Sequence, residues 1–154
     1  MNTDCVTVST VVAMDPATAF AVFTEDIAGW WKPKVQGLFQ AGRNGTLEFR
    51  DGRLWEIYGN SAPFEIGRVT AWEPGVRLAV EWRQEGFTLD EHTAVEVRFE
   101  PVARGTRVTV AHSGWDAVRP AARYGYSGGA FLSLIGLRWA DALTSLRNAA
   151  WGML

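Results

Sequence analysis

Cysteine, histidine and lysine are scarce in this chain. Among 154 residues, Cys5 is the only cysteine, and His92 and His112 are the only histidines. One thiol closes no internal disulfide, and one Cys with two His makes no conventional structural zinc site. No metal is therefore expected. Of 15 basic residues only Lys32 and Lys34 are lysine, and the net charge is −2. No basic field is available to attract nucleic acid or an anionic membrane, so no nucleic-acid partner is expected. The apolar stretch near residues 130–137 is too short and interrupted to span a bilayer, which argues against membrane insertion. Asp4 and Asp15 interrupt the first 20 residues, which also lack a basic segment, so a secretory leader is not expected and a cytoplasmic protein is. Nucleophile elbow, dinucleotide fingerprint and phosphate loop are all missing, and no cofactor is expected. The glycine-rich GYSGGA (125–130) follows no strand and offers no lysine. It reads as an entrance to the last helix and a gate over a cavity.

Aromatic residues, by contrast, are plentiful, with eight Trp and eight Phe. A domain of this length buries roughly two thirds of its unfolded surface in a single core. So many large rings exceed what packing alone requires, and they can wall an apolar pocket.

CVTVSTVVAM (5–14) alternates with β-branched residues and reads as a strand, with Val6, Val8, Thr10 and Val12 on one face. Asp15 and Pro16 form an N-cap and first helical position for a helix carrying Phe20 and Phe23 on one face. EDIAGWW is a second short helix, halted before Pro33. Then come strand candidates at short spacing. TLEFR turns at Asp51-Gly52, a strong hairpin signal, into RLWEIYG. FEIGRVTAW follows, then VRLAVEW with Val76, Leu78, Val80 and Trp82 on one face. AVEVRFE places Val95, Val97 and Phe99 together, and TRVTVAH does the same with Val108, Val110 and His112. After a loop or broken helix (116–129), Phe131, Ile135, Trp139, Ala142, Leu143 and Leu146 recur at helical spacing up to about residue 150. Arg138, Asp141, Thr144 and Ser145 face away.

Strands and helices are segregated, an α+β pattern forming one domain over 1–154. The economical arrangement is a curved antiparallel sheet of about seven strands, ordered β-α-α-β6-α, wrapped around a long C-terminal helix. Three stretches carry a family resemblance: DPATAFAVFTEDIAGWWKP, GRVTAWEPGVRLAVEWR and TAVEVRFEPVARGTRVTVAHSGW. With them, residues 4–150 resemble the START-like (SRPBCC) superfamily with its helix-grip fold, and within it the AHSA-like branch related to activators of a heat-shock ATPase. The resemblance implies a deep apolar cavity between sheet and long helix.

The cavity-lining candidates are Trp30 and Trp31 at its mouth, Phe49, Trp55, Trp72, Trp82 and Phe99 from the strands, and Phe131, Ile135 and Trp139 from the helix. Tyr58, Tyr124 and Tyr126 could add hydroxyl groups. His112 points inward with Val108 and Val110, either as a pocket-lining polar contact or as a general base. A base would want a carboxylate, and none lies on its own strand. Glu56 and, less so, Glu48 are the nearest by topology, although either face of the Glu56 strand could be the buried one. Ser113, adjacent to His112, points to the opposite face and cannot pair with it as a nucleophile. The expected function is binding of a small hydrophobic, aromatic or polycyclic molecule, without catalysis. The alternatives are a cyclase or hydrolase using His112 with a buried Glu, and a chaperone-ATPase regulatory module. Trp151, Met153 and Leu154 form an apolar tail that either packs back or meets a second copy in a homodimer.

Overall fold

The computed structural model describes residues 4–31, 45–84, 87–119 and 128–153. Among these the chain forms β1 (Cys5–Val12), α1 (Pro16–Glu25), α2 (Ile27–Trp30), β2 (Thr46–Arg50), β3 (Arg53–Ile57), β4 (Phe64–Glu73), β5 (Arg77–Trp82), β6 (Thr93–Val102), β7 (Gly105–Ser113), a 3-10 turn (Trp115–Ala117) and α3 (Gly128–Trp151). The strands make one antiparallel sheet in the order β1-β7-β6-β5-β4-β3-β2, and α3 runs against β1 and meets α2. This is the expected α+β helix-grip arrangement.

Local sequence accounts for most of these boundaries. The Asp15 carboxylate accepts from the backbone N–H of Thr18 and from its hydroxyl, capping α1 ahead of Pro16. Such a cap is worth about 1 kcal/mol. Asp51 and Gly52 both adopt positive φ (54° and 73°), the conformation a two-residue hairpin needs, and Arg50 therefore pairs with Arg53. That register places Leu47 opposite Glu56 and Phe49 opposite Leu54. In α3, Phe131, Ile135, Trp139, Ala142, Leu143, Leu146 and Ala150 are buried. Each of the larger side chains contributes about 1.5–3 kcal/mol by leaving water. They close over the inward faces of β5 (Leu78, Val80, Trp82), β6 (Val95, Val97, Phe99) and β7 (Val108, Val110, His112).

Two expectations are corrected here, and one pair of alternatives is narrowed. Val76 lies in the turn before β5 and is exposed rather than sharing the inward face. Ser145 does not face away, because its hydroxyl donates to the carbonyl of Trp30 and ties α3 to α2. Trp151 and Met153 are exposed and do not pack back on the domain, while Leu154 lies outside the described residues.

Gly105 joins β6 to β7 at φ 138°, and a Cβ there would sit 2.1 Å from the Val12 carbonyl oxygen. The backbone of β1 thus occupies the space a side chain would need. Gly105→Ala is expected to lower stability by about 2 kcal/mol or more. The check is the urea midpoint, and an unchanged midpoint would refute this account.

Candidate functional site

The sheet's inward face carries two buried polar groups of interest, one on β7 and one on β3. His112 on β7 is completely buried. Its Nδ1 receives the indole N–H of Trp139 at 3.0 Å. An indole nitrogen only donates, so Nδ1 carries no proton and the imidazole proton sits on Nε2. Nε2–H then donates to the Thr93 hydroxyl at 2.7 Å, and that hydroxyl donates to the Trp82 carbonyl at 3.1 Å. Each hydrogen bond in the run has one permitted direction. Burial pushes the His112 pKa down from 6.5 to about 3. A proton added at Nδ1 would also face the indole N–H. The histidine is therefore neutral near neutral pH.

The Trp115 ring lies 4.6 Å from the His112 ring, with Phe131 at 4.7 Å and Phe87 at 6.2 Å from Trp115. Glu91, almost buried, holds this end together. It accepts from the backbone N–H groups of Arg119 and Thr88 and from the Arg119 guanidinium. The Arg119 and Thr88 backbone N–H groups, with help from the guanidinium, hold its carboxyl down at about 2.

The deep open cavity implied by the resemblance is not seen among the described residues. Trp31, Trp82 and Trp139 meet pairwise at 5.5–5.9 Å with steeply inclined planes. The space they share with Phe23, Ile27, Leu47, Phe49, Leu54, Leu78, Val80, Val95 and Val97 is about 10 Å³. That is room for one water at most. A larger groove, about 620 Å³, lies outside it between α1–α2 and β2, lined by Thr24, Ala28, Thr46, Ile57 and Trp72 among others. Ile27, Leu47 and Phe49 border both spaces and so form the partition between them.

The structure brings some sequence candidates together and separates others. Trp31, Phe49, Trp82 and Trp139 surround the closed space. Trp30, Phe99, Phe131 and Ile135 are core residues beside it. Trp72 pairs with Leu78 on the inward side but is 46% exposed, standing at the rim against Phe20 and Phe49. A register shift between Val69 and Ala71 in β4 sets that placement. Trp55 is on the outer face, where its indole N–H donates to the Arg50 carbonyl and the Arg50 guanidinium lies over its ring. Glu48, opposite Trp55, is exposed. Tyr124 and Tyr126, and most of the expected gate, lie outside the described residues.

Glu56 is fully buried on the inward face with Leu54. Its oxygens accept from the Tyr58 hydroxyl at 2.6 Å and the Gly45 N–H at 3.2 Å. It does not form the acid–base pair that the enzyme alternative requires with His112, which contacts Thr93 and Trp139 instead. β6, β5 and β4 lie between their strands, about 19 Å along an unbent sheet. Thr93, Leu47, Leu54 and Val97 were absent from the sequence candidates. Strand parity with Val95 and Phe99 would have found Thr93 and Val97. The two-residue turn would have found Leu54 and Glu56, because it fixes the hairpin register. Nothing in the sequence marks Glu91. Among the described residues no three His, Cys, Asp or Glu side chains converge as a metal site, and no helix is long and apolar enough to cross a membrane.

Two outcomes test the hydrogen-bonded run. In Trp139→Phe the His112 Nδ1 is left as a buried acceptor without its indole donor, and stability should fall by about 1–3 kcal/mol beyond the packing change. Urea unfolding beside Trp139→Phe in a His112→Phe background checks it, since the coupling must vanish when both partners are gone. His112→Gln preserves an acceptor and a donor but cannot titrate. Because the folded pKa is depressed, the unfolded histidine binds a proton the folded one refuses, and stability is lost as pH falls from about 6.5 toward about 3. Wild type minus His112→Gln should therefore approach a slope of about 1.4 kcal/mol per pH unit in that window. Parallel pH profiles would mean that His112 is already charged or solvated in the fold.

Comparison with known proteins places this geometry. Residues 13–147 match the family described as activator of Hsp90 ATPase homolog 1-like protein. No curated protein gives a significant match. A protein of Rhodobacter sphaeroides is similar at 18% identity, covering 99% of this chain and 95% of its own, with a TM-score of 0.65. The Aha1 dimer of Colwellia psychrerythraea is similar at 16% identity, covering 95% of each chain, with a TM-score of 0.60. These two show the fold alone. An anthrahydroquino-γ-pyrone synthase is similar at 29% identity, covering 96% of this chain and 99% of its own, with a TM-score of 0.55. With the family match spanning residues 13–147 and a curved seven-stranded sheet closed by α3, the chain belongs to the activator of Hsp90 ATPase homolog 1-like family of the START-like (SRPBCC) superfamily.

Proposed function

We propose that the protein binds a small, flat, apolar aromatic molecule at the partition formed by Ile27, Leu47 and Phe49. The observation that carries this reading is the shared wall. An open groove of about 620 Å³ and a closed, indole-walled space are separated by three apolar side chains. The groove volume falls within the usual range for small-molecule sites. Phe49 is half-buried on the edge strand β2 and meets Trp72 edge-on, so the groove offers ring faces and edges to a planar ligand.

A second reading, a cyclase acting on polycyclic aromatic compounds, is favoured by the 29% likeness to the anthrahydroquino-γ-pyrone synthase. It uses the same seat for the ligand. His112 is a poor base in either case, since burial keeps it neutral and both ring nitrogens are engaged. A chaperone-regulating role rests on the family's name alone, and no stimulation of a chaperone ATPase is expected. We also expect self-association, as in the Colwellia relative, to be detectable by light scattering.

Titration with anthraquinone, followed by tryptophan quenching and native mass spectrometry, tests the binding reading. Saturable one-to-one binding is expected. Ala28→Phe, which places a ring in the groove from the exposed side of α2, should weaken it about tenfold or more while the far-UV spectrum stays unchanged. Absence of saturable binding, or equal affinity in Ala28→Phe, would overturn it.

A further inference from the structure

The outer face of the sheet, turned away from the aromatic core, holds a polar depression of about 370 Å³. Strand alternation puts charge there. Glu81 lies between the inward Val80 and Trp82, and Arg83 follows Trp82 on the outward side. Three guanidinium groups (Arg53, Arg68 and Arg83), the His92 imidazole and two carboxylates (Glu65 and Glu81) line the depression. Two of the guanidinium groups are matched across adjacent strands, Arg53 with Glu65 and Arg68 with Glu81. Among the described residues, Arg83 and His92 have no carboxylate partner. The local surplus is thus positive, in a chain whose net charge is −2.

That surplus is held in place. Arg83 is half-buried, its guanidinium donates to the Glu65 carbonyl at 3.2 Å, and its charge lies 5.7 Å from the centre of the Phe64 ring. A guanidinium has five N–H donors, so four remain on a side chain whose freedom these contacts already restrict. Gly67 also lines the depression, and a Cβ there would fall 1.5 Å from the Glu81 carbonyl oxygen. β4 and β5 approach so closely at this point that only glycine fits, and the missing side chain leaves the space open. A lone oxyanion would leave most of that space empty. The two carboxylates keep acceptor positions beyond those their arginines use, and these suit hydroxyl donors.

We propose that this depression is a second ligand site, for a small phosphate ester that carries hydroxyl groups, as a sugar phosphate does. Arg83 and His92 donate to the phosphate oxygens, the guanidinium through its planar fork. Glu65 and Glu81 accept from the hydroxyl groups. The site stands apart from the aromatic-binding reading, because its lining shares no residue with the groove.

The experiment titrates glucose 6-phosphate, inorganic phosphate and glucose into the intact protein at fixed ionic strength, following the His92 imidazole signals by NMR. The chain has two histidines, and His112→Gln identifies which signals belong to His92. Glucose 6-phosphate should give a saturable shift, inorganic phosphate one of several-fold weaker affinity, and glucose none. Arg83→Gln should weaken binding of the ester about tenfold or more. Arg83→Lys keeps the charge but loses the fork, should weaken it several-fold, and carries the comparison if Arg83→Gln fails to fold. Arg107→Gln removes an exposed charge from β7 and should leave the affinity unchanged. A shift that never saturates, inorganic phosphate binding as tightly as the ester, or unchanged affinity in the Arg83 variants would overturn the inference. Equal weakening in Arg107→Gln would overturn it too, by showing a diffuse charge effect rather than a site.

Discussion

A single run of directed hydrogen bonds, from Trp139 through His112 and Thr93 to the Trp82 carbonyl, fixes how the long helix sits on the sheet. Apolar contact between a helix and a concave sheet is non-directional and tolerates sliding. A buried chain of donors and acceptors does not, because a shift of one turn would leave several polar atoms unpaired at once. The run joins α3 to β7, β6 and β5. Everything nearer the rim inherits its position from that seam.

The aromatic filling follows from it. With Trp139 and Trp82 held by the seam, Trp31 from the end of α2 closes edge-on against Trp139 and tilted against Trp82, and little space remains. The Ser145 bond to the Trp30 carbonyl holds α2 against α3 and keeps Trp31 in place. The β1 side of the concave face is thus rigid. The β2 side is an edge strand whose Phe49 separates the closed space from an open groove. The two buried polar sites divide along the same axis. His112 belongs to the rigid side and acts in architecture, whereas Glu56 belongs to the side with an adjacent groove.

Much of the fold was legible because each strand repeats its buried face every second residue and α3 repeats its own every three or four. Asp15-Pro16 and Asp51-Gly52 marked a helix start and a hairpin for local steric reasons. The site was less legible. A register shift in β4 decided how Trp72 stands at the rim, and one between Leu54 and Trp55 accompanies the outward placement of Trp55. Such irregularities leave no mark in alternation. The inward direction of Glu56 was implicit in the two-residue turn, since Leu47 inward forces its register partner inward too.

The sequence by itself determined which residues could face the core, because periodicity is a property of the local backbone. It also determined that no disulfide within the chain could help hold it together, because Cys5 is the only cysteine. Only the tertiary structure decided what the inward residues enclose. The histidine's tautomer depends on an indole 27 residues away in the chain, and the size of the cavity depends on three tryptophans from three elements. Those distances come from sheet curvature and non-local packing, quantities that no short stretch of sequence encodes. GTRVTVAHSGW placed His112 inward. What met it there was set by β6 and α3.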